Sequence, residues 1–68
     1  MKSVSGKHFC KILETNGWVL KRISGSHFIY KKEGIEELIV IPVHGNEDLK
    51  EGLLKSLMKI VGLKETDI

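Results

Sequence analysis

The sequence has few of the residues that stabilise small domains covalently or through a metal. Its single cysteine, Cys10, cannot form an internal disulfide, and no cysteine cluster could hold a structural zinc ion. It has one proline and no low-complexity tract. A chain of 68 residues with this composition is expected to fold as one domain, residues 1–68, that depends on the 41% of its side chains that are apolar.

Long hydrophobic segments are also missing. The N-terminus lacks the apolar region of a signal peptide, and the longest apolar runs fall well short of the roughly 20 residues that span a bilayer. A lone cysteine fits a reducing compartment. The sequence therefore predicts a cytoplasmic protein that does not interact with membranes.

Positive and negative charges are distributed unevenly along the chain. Residues 1–32 carry seven Lys or Arg against one acidic residue, a net charge of +6, whereas residues 33–68 carry four against eight, a net charge of −4. Such asymmetry is typical of a domain with one side that faces a polyanion. Charge scattered only for solubility is the alternative interpretation, and charge alone favours it.

Apolar periodicity predicts a two-layer α+β domain of five elements. Residues 6–16 have helical spacing after Ser5, a good N-cap. Residues 18–23, 27–32 and 37–42 have the composition of β-strands. A second helix is expected between a capping box of Asp48 and Glu51 and the C-terminal Gly62. The order is therefore helix, three-stranded antiparallel sheet, helix, with both helices on one sheet face.

The first two strands are predicted to form a hairpin through a three-residue turn, residues 24–26. Period two places His27, Ile29 and Lys31 on one face of the second strand and Phe28 and Tyr30 on the other. The helix-facing core is expected to contain the following residues: Phe9, Ile12, Leu13, Leu53 and Leu57.

Most catalytic signatures are missing from the sequence. The three histidines lie in different elements without metal-ligand spacing, and neither a P-loop nor a G-x-G-x-x-G motif occurs. Cys10 lies beside the apolar stripe of the first helix, as a buried thiol does. His27 is more informative because it opens a strand after Gly25 and Ser26, where a side chain can be both rigid and exposed, and histidine transfers protons near neutral pH. The alternative is a histidine that only caps the strand or packs against a neighbouring side chain.

Several motifs occur together in a recognisable order. They are Ser5-Gly6-Lys7, Gly17-Trp18, Gly25-Ser26-His27, Ile41-Pro42 with His44, Leu49-Lys50-Glu51-Gly52, and Gly62-Leu63. In order and spacing, residues 5–63 resemble the HicA family of mRNA interferase toxins. Leu53 departs from the family pattern, which has threonine there, and is expected to fill the core. A further departure is the tail, which lacks a short helix that many relatives add.

The resemblance implies a fold like that of double-stranded-RNA-binding domains and mRNA cleavage without a cofactor or metal. The essential histidine of the Gly-Ser-His motif falls on His27, and a HicB antitoxin is expected to bind the toxin and cover it. His27 would act as base, acid or both in turn, giving a 2′,3′-cyclic phosphate and a 5′-hydroxyl. His44 is a possible second proton carrier. The expected RNA contacts are Lys7, Lys21, Ser26, Lys31 and Lys32.

Two other functions fit the same residues. A non-catalytic RNA-binding module would use the basic half with His27 only contacting phosphate. A protein-interaction adaptor would explain why the third strand, residues 38–41, is apolar on both faces. Trp18 and Tyr30 could stack on bases, but in so small a domain they are expected in the core.

Overall fold

The computed structural model describes residues 3–64, 66 and 68. It contains α1 (Gly6–Thr15), β1 (Val19–Ser24), β2 (His27–Lys31), β3 (Ile39–Pro42) and α2 (Glu51–Val61). The strands form one antiparallel sheet in the order β1-β2-β3. This confirms the predicted α-β-β-β-α arrangement.

Both helices cover the same face of the sheet. Their buried side chains form one core cluster with those of the sheet: Phe9 and Leu13 from α1, Tyr30, Ile39 and Ile41 from β2 and β3, and Leu54, Leu57 and Met58 from α2. Trp18 and Tyr30 are buried in this cluster, as core aromatic residues are. The opposite face, which carries His27, Ile29 and Lys31 of β2, is called the open face below.

The start of α1 is fixed by a side-chain cap and by a close backbone contact. The Ser5 hydroxyl accepts a hydrogen bond of 3.1 Å from the His8 N–H, which confirms the predicted N-cap. Gly6 lies against the carbonyl oxygen of Pro42, where a Cβ would overlap that oxygen. Only glycine allows α1 to approach the end of β3 this closely.

The β1–β2 hairpin differs from its predicted form. Ser24 and His27 are paired, so the turn has two residues, Gly25 and Ser26, rather than three. Gly25 has φ of 60°, in the left-handed region that such turns favour. Further along, the register shifts by one residue between Leu20 and Arg22, which leaves Lys21 as a β-bulge.

The predicted capping box of α2 is wrong. Helix α2 begins after Lys50, which makes no side-chain cap bond, whereas Asp48 pairs with Ser5 in an isolated bridge. The Leu49 N–H also donates to the Val4 carbonyl at 2.8 Å. This extended pairing holds residues 48 and 49 outside the helix. The predicted C-terminal glycine is confirmed, since Gly62 is left-handed with φ of 74°.

The expectation that Leu53 fills the core is also wrong. Leu53 is 37% exposed, whereas the adjacent Leu54 is 1% exposed. Residues 54, 57, 58 and 61 share one helical face, and Leu53 lies beside that face rather than on it. Leu53 instead lines a surface depression with Pro42 and His44. In the described part of the chain, neither helix is long and apolar enough to cross a membrane.

Candidate functional site

His27 is the first residue of the central strand and is exposed. It is held on both sides, because it pairs with Ser24 of β1 and with Pro42 of β3. The backbone next to it is fixed as well, since the Val43 N–H donates to the Ser26 carbonyl at 2.8 Å. The imidazole therefore projects from a rigid backbone on the open face, where a large substrate can reach it.

Three basic side chains share the open face with His27. Lys31 follows it by alternation along β2, and Lys21 lines a shallow depression with Val19 and Lys31. Arg22 is paired with Ile29, which places it two positions along β1 from Ser24 and on the same face. Within residues 3–64, 66 and 68, none of these cations has an ion-pair partner.

Arg22 is missing from the residues expected to bind RNA. A three-residue turn would pair Arg22 with Phe28 and direct it to the helix side. The two-residue turn shifts the register by one, and the bulge then leaves Lys21 and Arg22 together opposite Ile29. The signal that could have found Arg22 is Ser24-Gly25-Ser26-His27, which also fits a two-residue turn with Gly at its first central position.

The open face is apolar between its charged groups. Ile29 is only 8% exposed although no helix covers it, and its β3 partner Val40 is 44% exposed. Two more apolar side chains are exposed: Val19 at the start of β1 and Leu38 just before β3. Apolar side chains bordered by cations on an uncovered sheet face are typical of a contact surface.

Three of the expected site residues, Lys7, Lys32 and His44, are not grouped with His27 on the open face. Lys7 is on the first turn of α1, and the Lys32 side chain lies over Gly17. His44 lines the depression beside Pro42 and Asp48, in the loop after β3. Ser26 directly precedes His27 and is half-buried in the turn. The structure thus groups Lys21, Ser26 and Lys31 with His27, but not Lys7, Lys32 or His44.

A polar pair is located on the helix side of the sheet. The Tyr30 hydroxyl donates to Glu14 Oε2 at 2.7 Å. Burial, and then this contact with the Glu14 carboxylate, raises the pKa of Tyr30 well above its ordinary value. Burial is also the main cause that raises the pKa of the neighbouring Cys10 thiol, which makes it a poor nucleophile.

The described residues contain no group of three His, Cys, Asp or Glu side chains that could hold a metal ion.

These observations define the class of protein: a small α+β domain with a rigid, exposed histidine on an open, basic sheet face. Residues 6–63 match the model of a family described as the HicA toxin of bacterial toxin–antitoxin. The chain belongs to this HicA toxin family, whose known function is that of an mRNA interferase and whose partner is the HicB antitoxin. No curated protein matches the chain.

Proposed function

We propose that this HicA toxin is an endoribonuclease that uses His27 to move the proton in mRNA cleavage and thereby arrests growth. The observation that carries the proposal is the position of His27, exposed on the central strand among three cations that have no ion-pair partner in the described residues. General acid–base catalysis needs an ionisable group that is both rigidly held and reachable by the substrate. His27 meets both conditions.

The proposed reaction uses a nucleophile that the RNA itself supplies. His27 accepts the proton of a 2′-hydroxyl, whose oxygen attacks the adjacent phosphorus while the bond to the 5′-oxygen breaks. The protonated imidazole then returns the proton to that leaving oxygen. The products are a 2′,3′-cyclic phosphate and a 5′-hydroxyl. Because one imidazole accounts for both transfers, the reaction is proposed to need neither a metal nor His44.

Charge on the open face is proposed to hold the phosphates. Lys21, Arg22 and Lys31 lie along β1 and β2 on the side of His27, where charge-assisted contacts with phosphate oxygens are strong. Ser26, next to His27, is proposed to add a hydrogen bond. Lys32 lies beyond the end of β2, so any contact of its ammonium group would be with RNA farther from the cleaved bond.

The test is His27→Ala, compared with His8→Ala on the exposed side of α1. The first variant should lose RNA cleavage and growth arrest while its far-UV circular dichroism stays unchanged. The second should keep both activities. Cleavage that persists in His27→Ala would refute the assignment. EDTA should leave the rate unchanged, and a loss of activity with EDTA would refute metal independence.

The HicB antitoxin is proposed to cover His27 by binding the open face. The apolar groups around Ile29 and Val40 give a partner protein surface to bury, and the neighbouring cations suit an acidic rim. One binding event would then remove the imidazole and the phosphate-binding cations from RNA together.

A further inference from the structure

A cleft of about 570 Å³ lies on the helix side of the sheet, between α1 and the β1–β2 hairpin. It is separate from the open face. Its α1 wall is one helical face, with Lys7 and Lys11 at successive turns. Across from them, Phe28 of β2 and Leu20 of β1 line an apolar wall.

The cations at this cleft have no partner in the described residues. Lys7 and Lys11 are both exposed, and neither forms an ion pair within residues 3–64, 66 and 68. Two lysines one turn apart on a helix repel each other. A bound anion would relieve this repulsion, so the cleft rim favours a negatively charged ligand.

The interior of the cleft suits a flat, apolar ring with polar edges. Phe28 is half-buried and lines the cleft, so part of its ring surface can contact a ligand. Two polar groups, the carboxylate of Glu14 and the amide of Asn46, also line the cleft. An aromatic surface next to lysines is how proteins hold single-stranded RNA, since bases stack on the ring and phosphates contact the cations.

Two residues of the cleft are linked to the backbone around His27. Phe28 is the residue after His27 and points to the other side of β2, while Val43 of the cleft wall donates to the Ser26 carbonyl. Ile23, which pairs with Phe28 near the end of the hairpin, is 52% exposed, so this end of β1 is uncovered on the helix side. An RNA strand can therefore pass around this uncovered end between the two faces.

We propose that this cleft binds one unpaired nucleotide of the RNA substrate, with its base on Phe28 and its phosphate on Lys7 and Lys11. The inference rests on the proposed RNA-cleaving function and adds a second contact region to it. The bound nucleotide lies close in sequence to the cleaved bond and anchors a single strand across the end of the hairpin. Base-paired RNA does not fit, because its bases cannot enter the cleft.

The binding test uses a short 2′-O-methyl oligoribonucleotide that contains 2-aminopurine and has no free 2′-hydroxyl to react. The fluorescence of the base should be quenched on binding. Lys7→Ala/Lys11→Ala should weaken binding about tenfold and reduce the salt slope by about 0.7 for each phosphate that is no longer neutralised. Lys55→Ala/Lys59→Ala on α2 removes the same charge from exposed positions and should leave both quantities unchanged.

The base-stacking role is tested by Phe28→Leu, which keeps an apolar residue next to the core but removes the ring. Quenching should disappear and affinity should fall about fivefold. Because Phe28 packs partly against the core, the fold of this variant is checked by circular dichroism. If the variant does not fold, Leu20→Glu at the exposed edge of the same wall replaces it and should also weaken binding.

The outcomes separate the cleft from the cleavage reaction. If wild-type protein cleaves RNA but the Lys7/Lys11 variant binds as well as the Lys55/Lys59 control, the nucleotide site is wrong and the proposed function stands. If the oligonucleotide binds the cleft but no RNA is cleaved, the proposed function fails and the site stands. Amide shifts on titration that are confined to the open face, or a cleft filled only by the antitoxin, overturn the nucleotide site.

Discussion

Arg22 and Ile29 are direct cross-strand partners on the open face, one repeat of the pleat away from the Ser24–His27 pair. This register brings a guanidinium group to the side of the proposed catalytic histidine. It also explains why Ile29 is nearly buried without a helix above it, since long basic side chains cover apolar neighbours with their stems.

Arg22→Ala is expected to lower RNA cleavage about tenfold, because the variant cannot make a charge-assisted hydrogen bond to phosphate at this position. Arg22→Lys should give an intermediate rate, since an ammonium group keeps the charge but not the two-pronged geometry. Rates are compared with those of Lys59→Ala, an exposed position on α2. Equal rates for Arg22→Ala and Lys59→Ala would contradict a role for Arg22.

Val40→Glu is expected to weaken antitoxin binding at least about tenfold, because it places a carboxylate in the apolar part of the open face. Ile60→Glu on α2 is the matched control, since that isoleucine is similarly exposed on another surface. Affinities can be compared by calorimetry with the purified antitoxin. Similar reductions in both variants would show that HicB does not bind specifically to the open face.

Gly6→Ala is expected to destabilise the protein by about 1–3 kcal/mol, because the added methyl overlaps the Pro42 carbonyl at the start of α1. Gly52→Ala is the control, since its new methyl meets nothing within 4 Å. That variant should be more stable by up to about 1 kcal/mol. Urea unfolding of the two proteins measures both effects, and equal stability would show that α1 does not need this close approach.

Tyr30→Phe is expected to lower the free energy of unfolding by about 1.5 kcal/mol at neutral pH, because phenylalanine cannot form the hydrogen bond to Glu14. Its effect depends on pH. The folded protein keeps the Tyr30 proton above pH 10.0, the ordinary pKa at which the unfolded chain loses it. The contribution of the neutral hydroxyl is therefore complete below pH 10.0 and decreases as pH rises above that value.

Urea unfolding at neutral pH and above pH 10.0 tests the direction of this pH dependence. Wild-type stability should fall more steeply with pH than that of Tyr30→Phe, so the difference between the two proteins should shrink. Parallel pH profiles would mean that Tyr30 ionises with the same pKa in both states.

The order of elements and most of the core could be predicted from the sequence, because both depend on local periodicity. Phe9 and Leu13 have helical spacing, and Ile39 and Ile41 alternate as a half-buried strand requires. The strand position and face of His27 follow from the same alternation and agree with the structure.

The errors concern the length of the hairpin turn and contacts between distant segments. Asp48 and Glu51 have the spacing of a capping box, but pairing between residues 4–5 and 48–49 delays the start of α2. Arg22 is absent from the expected RNA contacts because its face depends on whether the hairpin turn has two residues or three. Neither the bulge nor the placement of Lys7 and Phe28 at one cleft has a local signal in the sequence.

The bulge at Lys21 also changes the exposed edge of the sheet. Strand β1 is an edge of the sheet, all six of its residues are exposed, and an even edge of this kind offers free backbone groups to another strand. An inserted residue bends and twists such a strand, and a lysine at that point adds charge. The hairpin that carries the proposed RNA contacts therefore offers a poor template for edge-to-edge pairing with another strand.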